Sequence, residues 1–315
     1  MSHDVSVIGL YILDVLGRPV TRIPAGGNVE FIDEIRLTVA GTAGGTVVDC
    51  AKLGLACLAV GAVGEDEKAD FVLDTLRRHN VDISAMQRLP GVPTSATILN
   101  VRPNGERPAL HLRGASGHFR LGDDDHDQAL DAPIIHLGGT GLLDALDGGP
   151  SRRLLAEAKR RGLTTTFDLI AATAETLGLV RPLLPYVDYF MPSIEEACTM
   201  SGRADPGEIA RFYRDLGAGT CIFTMGADGC YVASADAAFR LPSLDVAVTD
   251  TTGCGDAFSA GFICGLVHDF DLEASARLAT AAAALVATGL GSDAGIVSFE
   301  GTMEALRTLK PRRLG

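Results

Sequence analysis

The sequence predicts an α/β fold: a doubly wound, mostly parallel sheet with helices on both faces, plus a small β-sheet lid. Three observations predict it. Short apolar runs bounded by glycine alternate with stretches of helical periodicity along most of the chain, the rhythm of βαβ units. Two segments break that rhythm with in-out alternation, and so call for a solvated face that a helix-covered sheet does not offer. The 315 residues, 47% hydrophobic, suffice for one large core, and neither an internal repeat nor a linker rich in proline, glycine and serine divides them. We read residues 1–315 as a single domain whose discontinuous lid is drawn from about 12–40 and 90–116.

The elements follow in order. "VSVIGLYILD" (5–14) is an apolar run that reads as a buried strand, with Asp14 hanging off its end. "GGTVVDCAKLG" (44–54) has apolar residues at helical spacing and stops at Gly54, and "LACLAVGAVG" (55–64) reads as the next strand. "DEKADFVLDTLRRHN" (66–80) is an amphipathic helix with Phe71, Val72 or Leu73, and Leu76 on its stripe. The rhythm-breakers are "EIRLTVA" (34–40) and "SATILNVRPNGERPALHLR" (95–113), the latter folded by "PNGE" into a hairpin. From 133 the alternation resumes: "PIIHLGG" strand, "SRRLLAEAKRRG" helix, "TTTFDLI" strand, "VDYFMP" strand, "SIEEACTMSG" helix, "GTCIFTMG" strand. "GCYVAS" and "AAFRLP" are short additional strands, followed by helices over 254–268, 271–288 and 301–309.

Composition excludes several functions. No apolar stretch is long enough to span a bilayer, the nearest being the alanine-rich "ATAAAALVATG" at 279–289. "MSHDVSVIGL" has no basic start before a hydrophobic stretch, so it does not read as a secretory signal, and a cytoplasmic protein is expected. Seven cysteines form no CxxC pair and seven histidines no HxH or HExxH, which points to reduced thiols and away from a protein-held metal cage. A net charge of −13 disfavours nucleic acid and anionic membranes as partners. Walker and G-x-G-x-x-G loops are both absent.

The stretch that carries chemistry is "DTTGCGDAF", Asp250 to Phe258. A glycine-rich turn opening a helix leaves its first N–H groups unpaired, where the helix dipole favours an anion. Gly253 and Gly255 allow close approach, and Asp256 in the first turn can reach the same opening. Amides that hold a phosphoryl group beside a carboxylate that takes a hydroxyl proton suit phosphoryl transfer. The same residues also read as ordinary caps, with Asp250 closing a turn and Asp256 a helix N-terminus. Local sequence leaves both readings standing. The thiol of Cys254, at a helix N-terminus, has a third reading as a nucleophile, although no histidine lies nearby in sequence.

"DTTGCGDAFSAGF" resembles the C-terminal signature of the ribokinase family, the PfkB-type carbohydrate and nucleoside kinases, usually D-T-x-G-A-G-D-x-F, with cysteine in place of alanine. "VIGLYILD", "KLG" then "AVGAVGEDE", "NGER", "FTMGADG" and "ATAAAALVATGLGS" keep family order along nearly the whole chain. The resemblance implies a ribokinase-like fold and ATP-dependent phosphorylation of a hydroxyl on a sugar, sugar phosphate or nucleoside.

It also implies residue roles. Asp256 becomes the general base, and Gly253, Cys254, Gly255 and Asp256 supply the amides of the anion hole. Asp14 and Gly41 belong to the substrate loops, and Arg107 and Arg113 are lid cations that could meet a substrate phosphate. The family's G-G-x-x-x-N loop departs here, with Ala40 at its first glycine and Gly45 at its asparagine, which puts the acceptor in doubt more than the reaction. Thr224, Gly226 and Gly229 resemble the loop that lines the phosphates and ribose, and Thr280, Ala283 and Ala284 the helix that walls the adenine. In N-x-x-E, Ser193 replaces the asparagine while Glu196 remains, to act on Mg2+ through water. Asp168 remains without the D-x-N-x-R run of many sugar-acid kinases. "GLGSD", with Asp250 and Thr252, resembles a monovalent-cation loop for K+. The expectation is therefore an ATP- and Mg2+-dependent sugar kinase, with an adenosine-like nucleoside kinase or a non-catalytic sugar- or nucleotide-binding relative as alternatives. Family lids often pair, so a homodimer is expected.

Overall fold

A computed structural model describes residues 2–312. In chain order they form β1 (Val5–Gly9), β2 (Ile12–Arg18), β3 (Glu34–Ala40), α1 (Gly44–Lys52), β4 (Cys57–Gly64), α2 (Glu67–Arg78), β5 (Asp82–Leu89), β6 (Ala96–Asn100), β7 (Ala109–Leu112), α3 (His126–Ala129), β8 (Ile134–Thr140), α4 (Gly149–Arg160) and β9 (Thr164–Leu169). The second half continues with α5 (Leu177–Val180), β10 (Tyr189–Phe190), α6 (Ile194–Ser201), α7 (Pro206–Asp215), β11 (Thr220–Thr224), β12 (Cys230–Ala233), β13 (Ala238–Leu241), α8 (Cys254–Val267), α9 (Leu272–Val286) and α10 (Phe299–Thr308).

Among the described residues one sheet runs β13-β12-β11-β10-β9-β8-β1-β4-β5, parallel from β11 to β5 and antiparallel at β11/β12 and β12/β13. Period-two side-chain alternation feeds two cores at once. In β4, Leu58, Val60 and Ala62 pack on one side with α4, α6 and α7, while Cys57, Ala59 and Val63 pack on the other with α1, α2, α8 and α9. Each fully buried leucine or isoleucine in these layers stabilises the fold by roughly 1.5–3 kcal/mol relative to exposure. On the second face, Gly261 and Gly265 let α8 settle on α9: a Cβ there would lie 2.7 Å from Ala279 Cα and 2.8 Å from Ser275 Cα.

A second sheet, β3-β2-β6-β7, is built from the two alternating excursions, with β6/β7 as the expected hairpin. The run 5–14 is not one strand. It divides between β1 in the large sheet and β2 in the small one, because Gly9 takes φ +139° beside Gly138, where a side chain has no room, and the Tyr11 ring turns back into the core over Gly61. The Tyr11 hydroxyl donates to Val7 O at 2.8 Å, which satisfies the phenol in that buried position. The predicted strand 187–192 shortens to β10. The sequence reading passed over β5 and α7, although α7 carries its signal: the Asp205 side chain caps Glu208 N at 3.0 Å and Pro206 opens the first turn.

Candidate active site

β1 has β8 on one side and β4 on the other, so the winding direction reverses beside it. In open α/β sheets ligands enter the crevice at the carboxyl ends of strands at such a point. A cavity of about 560 Å³ lies there, walled by the large sheet's loops below and by Ile12, Asp14, Thr97, Leu99, Ala109 and His111 of the small sheet above. A second cavity, of about 210 Å³, lies between the β11–β12 turn, α8 and α9. Thr224, Thr251 and Gly255 line both. Two chambers joined at a glycine turn can present two substrates to each other.

That turn opens α8. Gly253 is its N-cap, with φ +77°, and a Cβ there would lie 2.4 Å from Ser292 Cα, so two requirements independently select glycine. The helix ladder begins at Ala257 N–H to Gly253 O, 2.8 Å. Among the described residues the N–H groups of Gly253, Gly255 and Asp256 have no protein acceptor, whereas Cys254 N–H leans on Thr251 O at 3.4 Å. Three unpaired amides therefore stand at the positive end of a 14-residue helix, on residues that line the larger cavity. Space around Gly255 is open where a Cβ would go.

Asp256 stands beside these amides on the wall of the larger cavity. Its side chain is half-buried, with Gly45 of α1 against the carboxylate. Burial, the like charge of Asp14 and that of Glu196 push its pKa up to about 8, against the opposing pull of Arg107. Asp14 is buried and raised to about 6 by desolvation, then by Asp250, while Thr97 and Arg107 favour its charged form. Asp168 is pushed well above the usual carboxylate range by burial and by Glu196 and Asp256. Four carboxylates thus crowd one cavity and resist simultaneous ionisation. Such perturbed acids cluster where chemistry is done. The Cys254 thiol goes the other way from a nucleophile: burial pushes it up to about 12, so it stays a neutral thiol.

The remaining residues distribute as follows. Gly41 lines the larger cavity at φ +88°. Ser193 and Glu196 line it too, joined in a capping box: Ser193 N–H and Oγ–H donate to Glu196 Oε2 at 3.1 and 2.9 Å, and Glu196 N–H donates back at 3.2 Å. Thr224, Gly226, Gly229, Thr280, Ala283 and Ala284 all line the smaller cavity. Arg107 lines the larger one and its Nη1 donates to Thr251 Oγ1. Arg113 lines neither and pairs with Asp144 at 2.6 Å on the surface. Gly45 also lines neither. It lies against Asp256: a Cβ on residue 45 would sit 2.5 Å from Asp256 Oδ2 and 2.9 Å from its Cβ.

The donor sets bear on the cations that the resemblance implied. Glu196, Asp168 and Asp256 repel one another around one cavity, an excess of negative charge that fits a divalent ion arriving with a nucleotide. The residues named for K+ fit less well. The carboxylate of Asp250 is taken up by Thr252 N–H (3.0 Å), Thr252 Oγ–H (2.8 Å) and Gly291 N–H (3.0 Å). Arg36 donates to Leu290 O at 2.6 Å and Lys52 to Asp293 O, so the chain's own cations already serve that loop. Sequence reasoning missed Thr251, Thr97 and His111. The repeated threonine of "DTTG" marked the first, whereas the two lid residues alternate with apolar neighbours like any half-buried strand.

Residues 2–298 match the pfkB family of carbohydrate kinases. The chain is 30% identical over 312 residues to the 2-dehydro-3-deoxygluconokinase of Thermoproteus tenax, covering 94% of each. It is 24% identical to the ATP-dependent 6-phosphofructokinase of Thermoanaerobacterium thermosaccharolyticum, over 99% of this chain and 96% of that one. Among solved structures, Arabidopsis thaliana ribokinase complexed with ribose and ATP superposes with a TM-score of 0.80 at 20% identity, covering 98% of this chain and 99% of that one. An E. coli protein described as ribokinase II, in complex with ATP and Mg2+, gives 0.82 at 20% over 96% and 99%. The fold is ribokinase-like, and the chain belongs to the pfkB family of carbohydrate kinases, phosphotransferases acting on sugars and nucleosides.

Proposed function

We propose that the protein moves the γ-phosphoryl group of ATP to a hydroxyl of a sugar or related small molecule. One observation carries this: Asp256 and three unpaired amides stand together where the two cavities meet. The smaller cavity takes the nucleotide, with Thr280, Ala283 and Ala284 leaving room for a flat base and Thr224 and Gly226 near its phosphates. The larger takes the acceptor, with Asp14 orienting its hydroxyls. Asp256 removes the proton of the attacking hydroxyl, and the amides of Gly253, Gly255 and Asp256 receive the charge on the moving phosphoryl oxygens. Mg2+, held through Glu196 and water, would neutralise charge on the β- and γ-phosphates. A cytoplasmic location follows from the need for ATP.

The acceptor is read as a sugar or sugar acid, because, of the two curated relatives named above, the one with the higher identity, 30%, is a 2-dehydro-3-deoxygluconokinase. A nucleoside remains a second reading. Leu99, Leu142, Ile170 and Met191 give the larger cavity an apolar wall able to take a base, and a Salmonella typhimurium aminoimidazole riboside kinase is 29% identical over 68% of the chain. ATP consumption over 2-dehydro-3-deoxygluconate, fructose, fructose 6-phosphate, ribose and aminoimidazole riboside decides. Turnover of one of the first four is expected, and of the last alone would select the nucleoside reading. Ligand-induced thermal shifts with no turnover on any acceptor would make the protein a non-catalytic binder.

A further inference from the structure

We propose that Arg36 and Lys52 are a built-in counterpart of a monovalent cation: they order the loop behind the glycine turn, and the protein works without K+. The inference rests on the kinase reading above for its rate measurements, and it gives a positioning role to two residues that line neither cavity. A site for K+ is a ring of main-chain carbonyl oxygens that replaces the ion's water. In the loop from 287 to 298, which joins α9 to α10, such oxygens are already engaged. Arg36 Nη1 donates to Leu290 O at 2.6 Å, Lys52 Nζ donates to Asp293 O, and Ala287 O accepts Thr249 N–H at 2.8 Å. The Asp293 carboxylate is shared by Arg36 Nη2 at 2.9 Å and Lys52 Nζ at 3.5 Å. Two cations on one carboxylate leave a single positive charge, which is what a monovalent ion would bring. Asp49, the other acid near Lys52, is pushed toward its neutral form by burial and does not cancel that charge.

The charge reaches the turn through one peptide group. Leu290 C=O and Gly291 N–H belong to the same peptide: the carbonyl accepts from Arg36 while the N–H donates to Asp250 Oδ2 at 3.0 Å. A cation at one end and a carboxylate at the other polarise that peptide in the same sense, which strengthens both bonds. Asp250 is fully buried, so water does not offset its charge, and the relay counts for more than it would at the surface. Its other oxygen takes Thr252 N–H and Oγ–H, at 3.0 and 2.8 Å, one residue before Gly253. Ser292 closes the connection. Its Oγ–H donates to Val39 O of β3 at 2.7 Å, and its Cα fills the space beside Gly253 that a side chain would take. β3, α1, the loop and the opening of α8 thus form one contiguous network. Arg36, Lys52 and Asp293 sit half-buried within it, less screened than a surface pair.

The test measures rate and melting in K+ or tetramethylammonium at equal ionic strength, on wild type and Arg36→Gln, with Mg·ATP and the acceptor that turns over in the panel. Wild-type kcat is expected to agree within about twofold between the two salts, and its Tm not to respond to K+. Arg36→Gln is expected to lose about tenfold in kcat in tetramethylammonium and to regain most of it in about 100 mM K+, with Tm rising by about 2 °C or more. Recovery by an ion with no shape in common with a guanidinium separates supplied charge from packing. Lys52→Met replaces Arg36→Gln if glutamine prevents folding. Wild type activated more than about twofold by K+ overturns the inference, as does a folded variant whose rate is unchanged, or is lost and not regained in K+. If wild type is inert on the whole panel, the kinase reading falls and the melting curves alone decide: K+ that stabilises wild type, or fails to stabilise Arg36→Gln, overturns this inference.

Discussion

Asp49 is the residue whose presence costs the fold most visibly. It sits in α1 with no exposure, and neither carboxylate oxygen has a partner among the described residues. Lys52, one turn on, pairs instead with Asp293 at 3.5 Å. Burial therefore drives the Asp49 pKa far above its ordinary value, with Asp293 and Asp256 adding repulsion and Lys52 opposing. The sign for stability follows. Below about pH 4 the carboxyl is protonated in both folded and unfolded chains and contributes no penalty. As pH rises the unfolded chain releases its proton while the folded chain keeps it, so stability falls by up to about 1.4 kcal/mol per pH unit until the folded pKa is reached. Asp49→Asn removes the titration. Its melting temperature relative to wild type is expected to climb as pH rises from 4 to 8, and a flat difference would show that the carboxylate is solvated or paired. Sequence marked this position only as part of a helix. Periodicity tells which face is buried but not which buried acid lacks a partner.

At the scale of elements, the contact that shapes the site is α1 against α8. Gly45 in α1 offers no side chain, and the Asp256 carboxylate of α8 occupies the space a Cβ would fill. Thr46 Oγ–H donates to Thr42 O at 2.7 Å, with a longer bond to Asp256 O at 3.3 Å, tying the two helices where they meet. Gly45→Ala must displace Asp256, since its Cβ and Cγ as well as its Oδ2 stand within 3.0 Å of the added carbon. It is expected to lower kcat by about tenfold or more while Mg·ATP affinity holds, and wild-type kcat would show that Asp256 functions from another position. Most of the long helices, the glycine turn and the hairpin were legible because caps, glycines and periodicity are local signals. The role of Gly45 was not: sequence showed a missing asparagine, and only packing shows what uses the vacated space. The division of β1 from β2 was hidden for a like reason, since an unbroken apolar run does not reveal that consecutive residues serve two sheets.

For the whole molecule, the small sheet turns one face to the cavity and the other to solvent. Thr97, Leu99, Ala109 and His111 point inward, while Ile35, Leu37, Ile98, Leu110 and Leu112 leave an apolar outer face between 44% and 69% exposed. A contiguous exposed apolar face of this kind marks an interaction surface, and we propose that a second copy of the chain covers it in a homodimer. Light scattering of wild type at micromolar concentration is expected to give the dimer mass, and Leu110→Lys with Ile35→Lys the monomer mass. A monomeric wild type would contradict the pairing. Alternation along "ATILN" and "ALHL" made the two-faced sheet readable, but strand order and the reversal beside β1 depend on contacts far apart in sequence.

The most direct test of the whole account is the single-turnover rate of Asp256→Asn on Mg·ATP with an accepted sugar. The swap keeps size while removing the negative charge and the ability to take a proton. A fall of about 100-fold or more with nucleotide binding intact is the result expected from a carboxylate that draws the proton from the acceptor. A rate close to wild type would contradict it.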